Sequence, residues 1–238
     1  MIGRIAWIAA LLVLALVTAF AQVDRSARFN PALAPLVPAP FRGFAQAQLA
    51  EQALLARDAP RAKELARDLV RVRPLPAENL TLMAQATLLS GELEPGLAAL
   101  ELAGQRGWRE PFAQRALAQS ALLTGNVDAA SLRIAALLAT GALAAEERDQ
   151  LVAELAASPE GRQALAQRMA DGGHWQRNFV PLAAGVLEPA VYVDLVRRAQ
   201  ALEAPLDCAA LVRAKESLRQ TGEVAAAEAI DATRCGPR

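Results

Sequence analysis

Residues 81–100, TLMAQATLLSGELEPGLAAL, place an apolar segment on each side of a short turn at Ser90-Gly91-Glu92-Leu93. Both segments carry apolar residues at helical spacing, and glycine is the residue that most often follows the last turn of a helix. The stretch therefore predicts two antiparallel α-helices joined by a tight turn.

The same kind of turn occurs once before and once after this stretch. Equivalent positions in the three turns are occupied by Arg57, Gly91 and Gly125, and the two intervals between them are equal. A fixed interval of this length indicates an internal repeat in which each unit is one helical hairpin.

Other positions align when the segments are superimposed on the three turns. The first helix of each pair offers a large apolar residue followed by a small one, at Leu49-Ala50, Met83-Ala84 and Leu117-Ala118. Shortly after the turn, at the start of the second helix, the chain has only very small side chains, at Ala62, Gly96 and Ala130. We expect the two helices of each pair to cross closely there, because a larger side chain would not fit.

These positions resemble the tetratricopeptide repeat family over residues 41–142, and the interval between the turns matches that family's period of about 34 residues. More loosely, the proline-rich stretch, the repeats and Gly107-Trp108-Arg109 are similar to membrane-anchored repeat proteins of alphaproteobacteria. The resemblance implies an all-α fold, a right-handed superhelical solenoid of antiparallel helix pairs. The chain departs from the family where alanine or leucine replaces its usual aromatics and where Arg57 stands in place of a turn glycine.

Composition agrees with a helical protein and excludes one class of partner. The chain of 238 residues is 54% hydrophobic but only 4% aromatic, which suits closely packed helices better than sheets. Its 25 basic and 25 acidic residues are interspersed and give no net charge. We therefore expect no nucleic acid partner, since binding to phosphates needs a concentrated basic surface.

The amino terminus is an apolar run from residue 5 to residue 23, between Arg4 and Asp24. Nineteen residues of helix span about 28 Å, close to the hydrocarbon thickness of a bilayer. The run predicts a single-pass anchor in the inner membrane, with the remaining chain in the periplasm. Ala19-Phe20-Ala21 also fits a signal-peptide cleavage pattern, so release into the periplasm after cleavage at Ala21 is the alternative.

Four segments follow from these patterns. Residues 1–23 form the anchor or signal peptide, residues 24–40 a proline-rich spacer, residues 41–142 the repeats, and residues 143–238 divergent helical hairpins. Four prolines lie between residues 31 and 40, and we expect this density to keep the spacer extended and to hold the domain away from the membrane. In the last segment we expect helices over residues 145–157, 159–170, 188–202, 207–220 and 223–233.

The two cysteines lie at equal distances from a turn. Cys208 and Cys235 are centred on Thr221-Gly222, the turn of the predicted final hairpin. In an antiparallel hairpin, residues equidistant from the turn face each other, and an exported domain meets oxidising conditions. We predict a Cys208–Cys235 disulfide; two unpaired buried thiols are the alternative.

No catalytic constellation emerges from the residues. His174 is the only histidine and has no companion for a metal site or an acid-base pair, so we interpret it as a structural loop residue. We expect no cofactor and no metal. The family's groove-facing positions correspond to polar residues here, and the resemblance implies a partner-binding groove at Glu51, Thr81, Gln85, Arg115 and Gln119.

Three functions remain open at this stage. The first is a non-catalytic periplasmic scaffold or adaptor that binds a protein or peptide, within a cell-envelope or polysaccharide export assembly. The second is an accessory or helical carbohydrate-processing enzyme, which would need a carboxylic acid beside aromatic side chains in a pocket. The third is a structural homo-oligomer.

Overall fold

The computed structural model describes residues 2–236, and within that range the chain is all-helical without a β-strand. The chain divides into two compact units, Met1–Gly107 and Trp108–Arg238. The predicted all-α class is confirmed. The predicted boundary between residues 142 and 143 lies inside the second unit.

The first unit begins with one long helix and continues with two helical pairs. Two short 3-10 helices, Pro31–Leu36 and Ala39–Phe41, separate the long helix from the pairs. The α-helices are α1 (Ile2–Ala27), α2 (Phe44–Leu55), α3 (Ala59–Val72), α4 (Ala77–Leu89) and α5 (Leu93–Arg106).

The second unit is a larger helical body with one continuous apolar core, which includes Ile134, Leu165, Tyr192 and Leu211. Its helices are α6 (Pro111–Leu123), α7 (Val127–Thr140), α8 (Ala145–Ala156), α9 (Pro159–Ala170), α10 (Gln176–Val186), α11 (Pro189–Ala201), α12 (Cys208–Gln220) and α13 (Val224–Glu228).

The repeat period is visible in the helix boundaries. The first helices of the three pairs end at Leu55, Leu89 and Leu123, and the second helices end at Val72, Arg106 and Thr140. Side chains in the turns start the second helices: the amides of Arg61 and Ala129 donate to the side chains of Asp58 and Asn126, at 3.1 and 3.2 Å. Each of these acceptors satisfies an amide that the helix itself leaves unpaired.

Small side chains lie at the predicted crossing points. Ala62 and Ala130 are completely buried. At Gly96 an added Cβ would come within 2.6 Å of the Leu88 side chain and 3.2 Å of the Leu88 backbone nitrogen. The close approach of α4 and α5 therefore depends on the absence of a side chain at residue 96.

The prediction of an extended proline spacer is wrong. The two 3-10 helices fold this segment back along α1 and α2, and Ala34 and Val37 are buried with Ala27 and Ala45. Proline is compatible with the first turn of a helix, and Pro31 and Pro35 are accommodated in a 3-10 turn that needs few amide donors. The ring of Phe41, in the second 3-10 helix, also packs on the ring of Phe20 in α1, with the ring centres 5.3 Å apart.

Asp24 joins the long helix to the first pair. The amides of Gly43 and Ala45 donate to its Oδ1 at 2.8 and 2.9 Å, and the amide of Phe44 donates to its Oδ2 at 3.1 Å. The side chain is buried. It thus caps α2 from a distant position in the chain, and its negative charge complements the positive end of the α2 dipole.

Removing this cap should loosen the start of α2. We expect Asp24→Ala to lower the local stability by about 2 kcal/mol, because three amides lose their acceptor and the helix dipole loses its counter-charge. Hydrogen exchange followed by mass spectrometry would show faster exchange in peptides covering residues 43–50. Asp24→Asn keeps one carbonyl acceptor and should lose less, and Arg25→Ala, a change at the exposed neighbouring residue, should change nothing. Unaltered exchange in Asp24→Ala would contradict the role of the cap.

Most helices predicted for the last segment are present, with two differences. Helix α10 was not predicted, and it contains Pro181. Proline removes one amide donor from a helix interior and so frees the carbonyl four residues earlier. That carbonyl belongs to Arg177, and it accepts from the Arg213 guanidinium at 3.4 Å. The second difference is α13, which ends at Glu228 rather than near residue 233.

The predicted Cys208–Cys235 disulfide is confirmed, with the two Cα atoms 5.2 Å apart. Cys208 is the first residue of α12, whereas Cys235 lies in the irregular segment after α13. The bond therefore holds a non-helical chain end rather than a second helix. The amide of Gly236 donates to the carbonyl of Leu206 at 3.0 Å and continues the attachment.

The disulfide should stabilise the end of the second unit. Closing a loop of this length contributes about 3.6 kcal/mol in the chain-entropy model. We expect the double variant Cys208→Ser and Cys235→Ser to increase hydrogen exchange in residues 208–230 and to lower the unfolding temperature. Exchange in α2 and α3 serves as the internal reference and should not change. Equal exchange in oxidised and reduced protein would show that the bond adds no stability.

Candidate functional site

A cleft of about 400 Å³ lies in the first unit, where α2 and α4 reach their ends. Its lining residues are Glu51, Leu54, Leu55, Arg57, Leu82, Gln85 and Leu89. The two helices are the first members of successive pairs, so equivalent faces of the repeat form the two walls. The cleft combines an aliphatic surface with one acidic, one basic and one amide side chain.

Four of the seven residues that line this cleft are leucines. Leu55 is 80% exposed and Leu89 is 36% exposed, although both are large apolar side chains. In the second unit the residue at the same repeat position, Leu123 at the end of α6, is 84% exposed. A contiguous apolar patch is typical of a contact surface for another molecule, and Leu54, Leu55 and Leu89 lie together in the wall of the cleft. The three leucines at the helix ends, Leu55, Leu89 and Leu123, were not predicted from the sequence, although their equal spacing along the chain was available to find them.

Arg57 has an unusual backbone conformation at the rim of the cleft. Its φ of 54° lies in the left-handed region, where the equivalent Gly91 and Gly125 have φ of 80° and 71°. Glycine adopts this conformation without cost, whereas for another residue it costs about 1 kcal/mol or more. Strained residues of this kind are often found at functional sites, and the Arg57 side chain lines the cleft.

Two of the five predicted groove residues, Glu51 and Gln85, line this cleft. Thr81 does not: it is 4% exposed, and its Oγ1 has no hydrogen-bond partner among the described residues. The difference arises because Thr81 lies one helical turn before Gln85, on a part of α4 that its neighbours cover.

The other two predicted groove residues, Arg115 and Gln119, lie on α6 in the second unit. The Arg115 guanidinium pairs with Glu147 at 2.8 Å and lies 5.5 Å from the centre of the Phe112 ring. Gln119 is exposed. Arg115 is therefore engaged within its own unit, and only Gln119 presents an open polar side chain.

His174 lines a second cavity, of about 380 Å³, beside the disulfide. Asp207, in the wall of this cavity, accepts from the Ala210 amide at 2.8 Å and from Arg177 at 3.2 Å. The Ala210 amide, followed by the charge of Arg177, holds the pKa of Asp207 below its usual value. The stabilisation by ionised Asp207 is therefore complete above its unfolded pKa near 4 and is lost as the pH falls through the lowered value.

The single tyrosine is part of the core. The hydroxyl of Tyr192 donates to the carbonyl of Val180 at 3.0 Å, and burial raises the pKa of this phenol. Tyr192 therefore joins α11 to α10. No group of three or more histidine, cysteine or acidic side chains suited to a metal ion occurs in residues 2–236.

Comparison with known proteins gives no assignment: no family model, no curated protein and no solved structure matches this chain. The relation to tetratricopeptide repeats accordingly stays a resemblance of sequence positions and helix boundaries. The candidate site is defined by its geometry alone.

Replacing the strained arginine should show how much its left-handed backbone conformation costs in stability. We expect Arg57→Gly to raise the free energy of unfolding by about 1 kcal/mol, because glycine relieves the left-handed strain. Gly91→Ala, at the equivalent turn, should lower it by a similar amount. Denaturant unfolding of both variants would measure the two effects. If Arg57→Gly were destabilising, the Arg57 side chain would have to contribute more to folding than its backbone strain costs.

Proposed function

We propose that this protein is a membrane-anchored, non-catalytic interaction scaffold of the periplasm, with its helix pairs stacked as a right-handed solenoid of tetratricopeptide type. The observation that carries the proposal is the leucine-lined cleft between α2 and α4, formed at positions that recur once in every repeat. The ligand that fits it is a protein segment with aliphatic side chains and at least one charged group.

The anchor is the first element of this proposal. Helix α1 includes a segment, Gly3–Ala27, that is long and apolar enough to cross a membrane, and none of its most apolar window is buried. A signal sequence would meet the same description. Retention is favoured by the continuity of the helix: α1 runs without a break through Ala21 to Asp24, and Phe20 packs on Phe41.

The periplasmic location rests on the disulfide. A bond between Cys208 and Cys235 forms and persists in an oxidising compartment. The charges beside the apolar run do not support this location. One arginine, Arg4, precedes the run, and two, Arg25 and Arg28, follow it. The rule that basic residues stay inside would therefore place the side after the run in the cytoplasm. Three arginines close to a membrane bias the topology only weakly, whereas a disulfide requires an oxidising compartment.

The chemistry of the cleft supports a protein segment as ligand. Leu55 and Leu89 expose apolar surface whose burial by a ligand would be favourable. Glu51 and Arg57 carry opposite charges, which can fix the direction and register of a bound chain. Arg57 also adopts a left-handed backbone conformation that glycine would adopt with less strain. An arginine at this position is explained if its side chain contacts the ligand.

Site-specific crosslinking in intact cells tests this function. A photoreactive amino acid placed at Leu89 should yield one or a few discrete crosslinked proteins, because residue 89 lines the cleft. Leu102, on α5, is the matched control: the two leucines are 36% and 37% exposed, but Leu102 does not line the cleft. We expect no defined product from residue 102, and weaker products from residue 89 after Glu51→Lys or Arg57→Glu.

Two results would contradict the proposal. Identical products from residues 89 and 102 would mean that capture does not depend on the cleft. Products from residue 89 that consist only of a second copy of this chain would support the structural homo-oligomer instead.

A further inference from the structure

We propose that the end of the first unit from which α1 emerges lies on the bilayer as a second membrane contact, with its aliphatic side chains among the lipid headgroups and its arginines on lipid phosphates. This inference rests on the proposed anchor and goes beyond it. The surface, here called the exit face, consists of Leu36, Pro40, Arg42, Arg71, Val72 and Leu75.

The exit face lies close to the point where α1 leaves the membrane. A hydrocarbon core of about 30 Å takes up about twenty residues of helix, which places its outer edge near Phe20 to Val23. Phe41 packs directly on Phe20, with ring centres 5.3 Å apart. Asp24 binds the first amides of α2, so the start of α2 lies within about 6 Å of that edge, which is four residues of helical rise.

The end of α3 reaches the same level. The Arg73 guanidinium lies 4.3 Å from the centre of the Phe44 ring, and a Cβ on Gly43 would lie 3.1 Å from the Asp24 carboxylate and 3.5 Å from the Arg73 side chain. Arg42, Arg71 and Val72 line one shallow cavity with Ala39 of the second 3-10 helix. The headgroup layer is about 5 to 8 Å thick on each side of the hydrocarbon core, so these residues fall within it.

The chemistry of the exit face matches a lipid surface. Leu36, Val72 and Leu75 are 67%, 69% and 80% exposed, which is unusual for three large aliphatic side chains at one end of a small unit. The basic side chains beside them are all arginines, which bind phosphate oxygens through a fork of N–H donors.

Arg71 pairs with Asp68 at 3.4 Å on one side, but its side chain is 71% exposed and keeps further N–H donors open. Arg42 donates its Nε–H to the Val37 carbonyl at 2.7 Å. The shallow cavity at Arg42 and Arg71 is also lined by Glu64 and Asp68.

A bilayer is the occupant that the structure favours, because the exit face continues directly from the apolar surface of α1. The rings of Phe20 and Phe41 are in contact, so α1 and the start of the first helix pair meet directly at this level. The folded proline segment therefore brings the unit down to the membrane, whereas an extended segment would have held it away.

Depth measurements on the full chain in lipid nanodiscs test the inference. Spin labels carried by an unnatural amino acid would be placed singly at residues 12, 55 and 75, in discs of zwitterionic lipid with and without anionic lipid. Collision with oxygen, which dissolves in lipid, would be compared with collision with a water-soluble nickel complex. Leu55 is the matched control for Leu75, since both are 80% exposed but lie at opposite ends of the unit.

We expect residue 12 to report hydrocarbon, residue 75 the headgroup region and residue 55 water, with a severalfold higher ratio of oxygen to nickel collisions at 75 than at 55. Anionic lipid should raise the ratio at 75, and Arg71→Glu should reverse that rise. If residue 12 reports hydrocarbon while 75 and 55 both report water, this inference fails and the anchor stands. If residue 12 reports water, the anchor itself fails. Shielding of residue 75 from both reagents would reveal a protein neighbour and overturn the inference.

Discussion

The close approach of the two helices in each pair is the constraint on which the repeat depends. Ala62 and Ala130 are fully buried, and Gly96 has no room for even one carbon, because Leu88 of the preceding helix occupies that space. A hairpin with so short a turn can close only where one side chain is nearly absent. Since the position is fixed relative to the turn, helix ends and packing contacts recur together in every repeat. The exposed leucines at the ends of α2, α4 and α6 are a consequence: the same register that buries the small residues turns these side chains outward.

Patterns of local sequence were sufficient for most of the helices and for the disulfide. The turns at Arg57, Gly91 and Gly125 marked the helix ends, and the caps Asp58 and Asn126 in those turns contact amides only three residues away. The spacing of Cys208 and Cys235 around a turn predicted their bond, although Cys235 follows a helix of only five residues. In these cases the deciding interactions join residues that are near one another in the sequence, so a local sequence pattern is sufficient to predict them.

The errors concern interactions between distant residues. Proline content suggested an extended spacer, but its local cost is outweighed by burial of Ala34 and Val37 against α1 and by the Asp24 cap on α2. Helix α10 was not predicted; it contains Pro181, and the carbonyl that this proline leaves without an amide donor accepts from Arg213, which is far along the chain. The candidate site shows the same limit. Glu51 and Gln85 follow from the repeat register, whereas the burial of Thr81 and the pairing of Arg115 with Glu147 depend on neighbours that the register does not specify.

Asp24 also sets the geometry between the two surfaces of the first unit. Helix α2 begins at this carboxylate and ends at Leu55 in the wall of the cleft, so its length places the cleft about 18 Å farther along the unit. An ordinary flexible linker would leave that distance free to vary. Here α1, the buried carboxylate of Asp24 and α2 are joined by hydrogen bonds, so in the anchored protein proposed above a segment held in the cleft would be kept at one height above the membrane. For the scaffold proposed above, fixing this distance in advance removes an entropic cost from the encounter with its ligand.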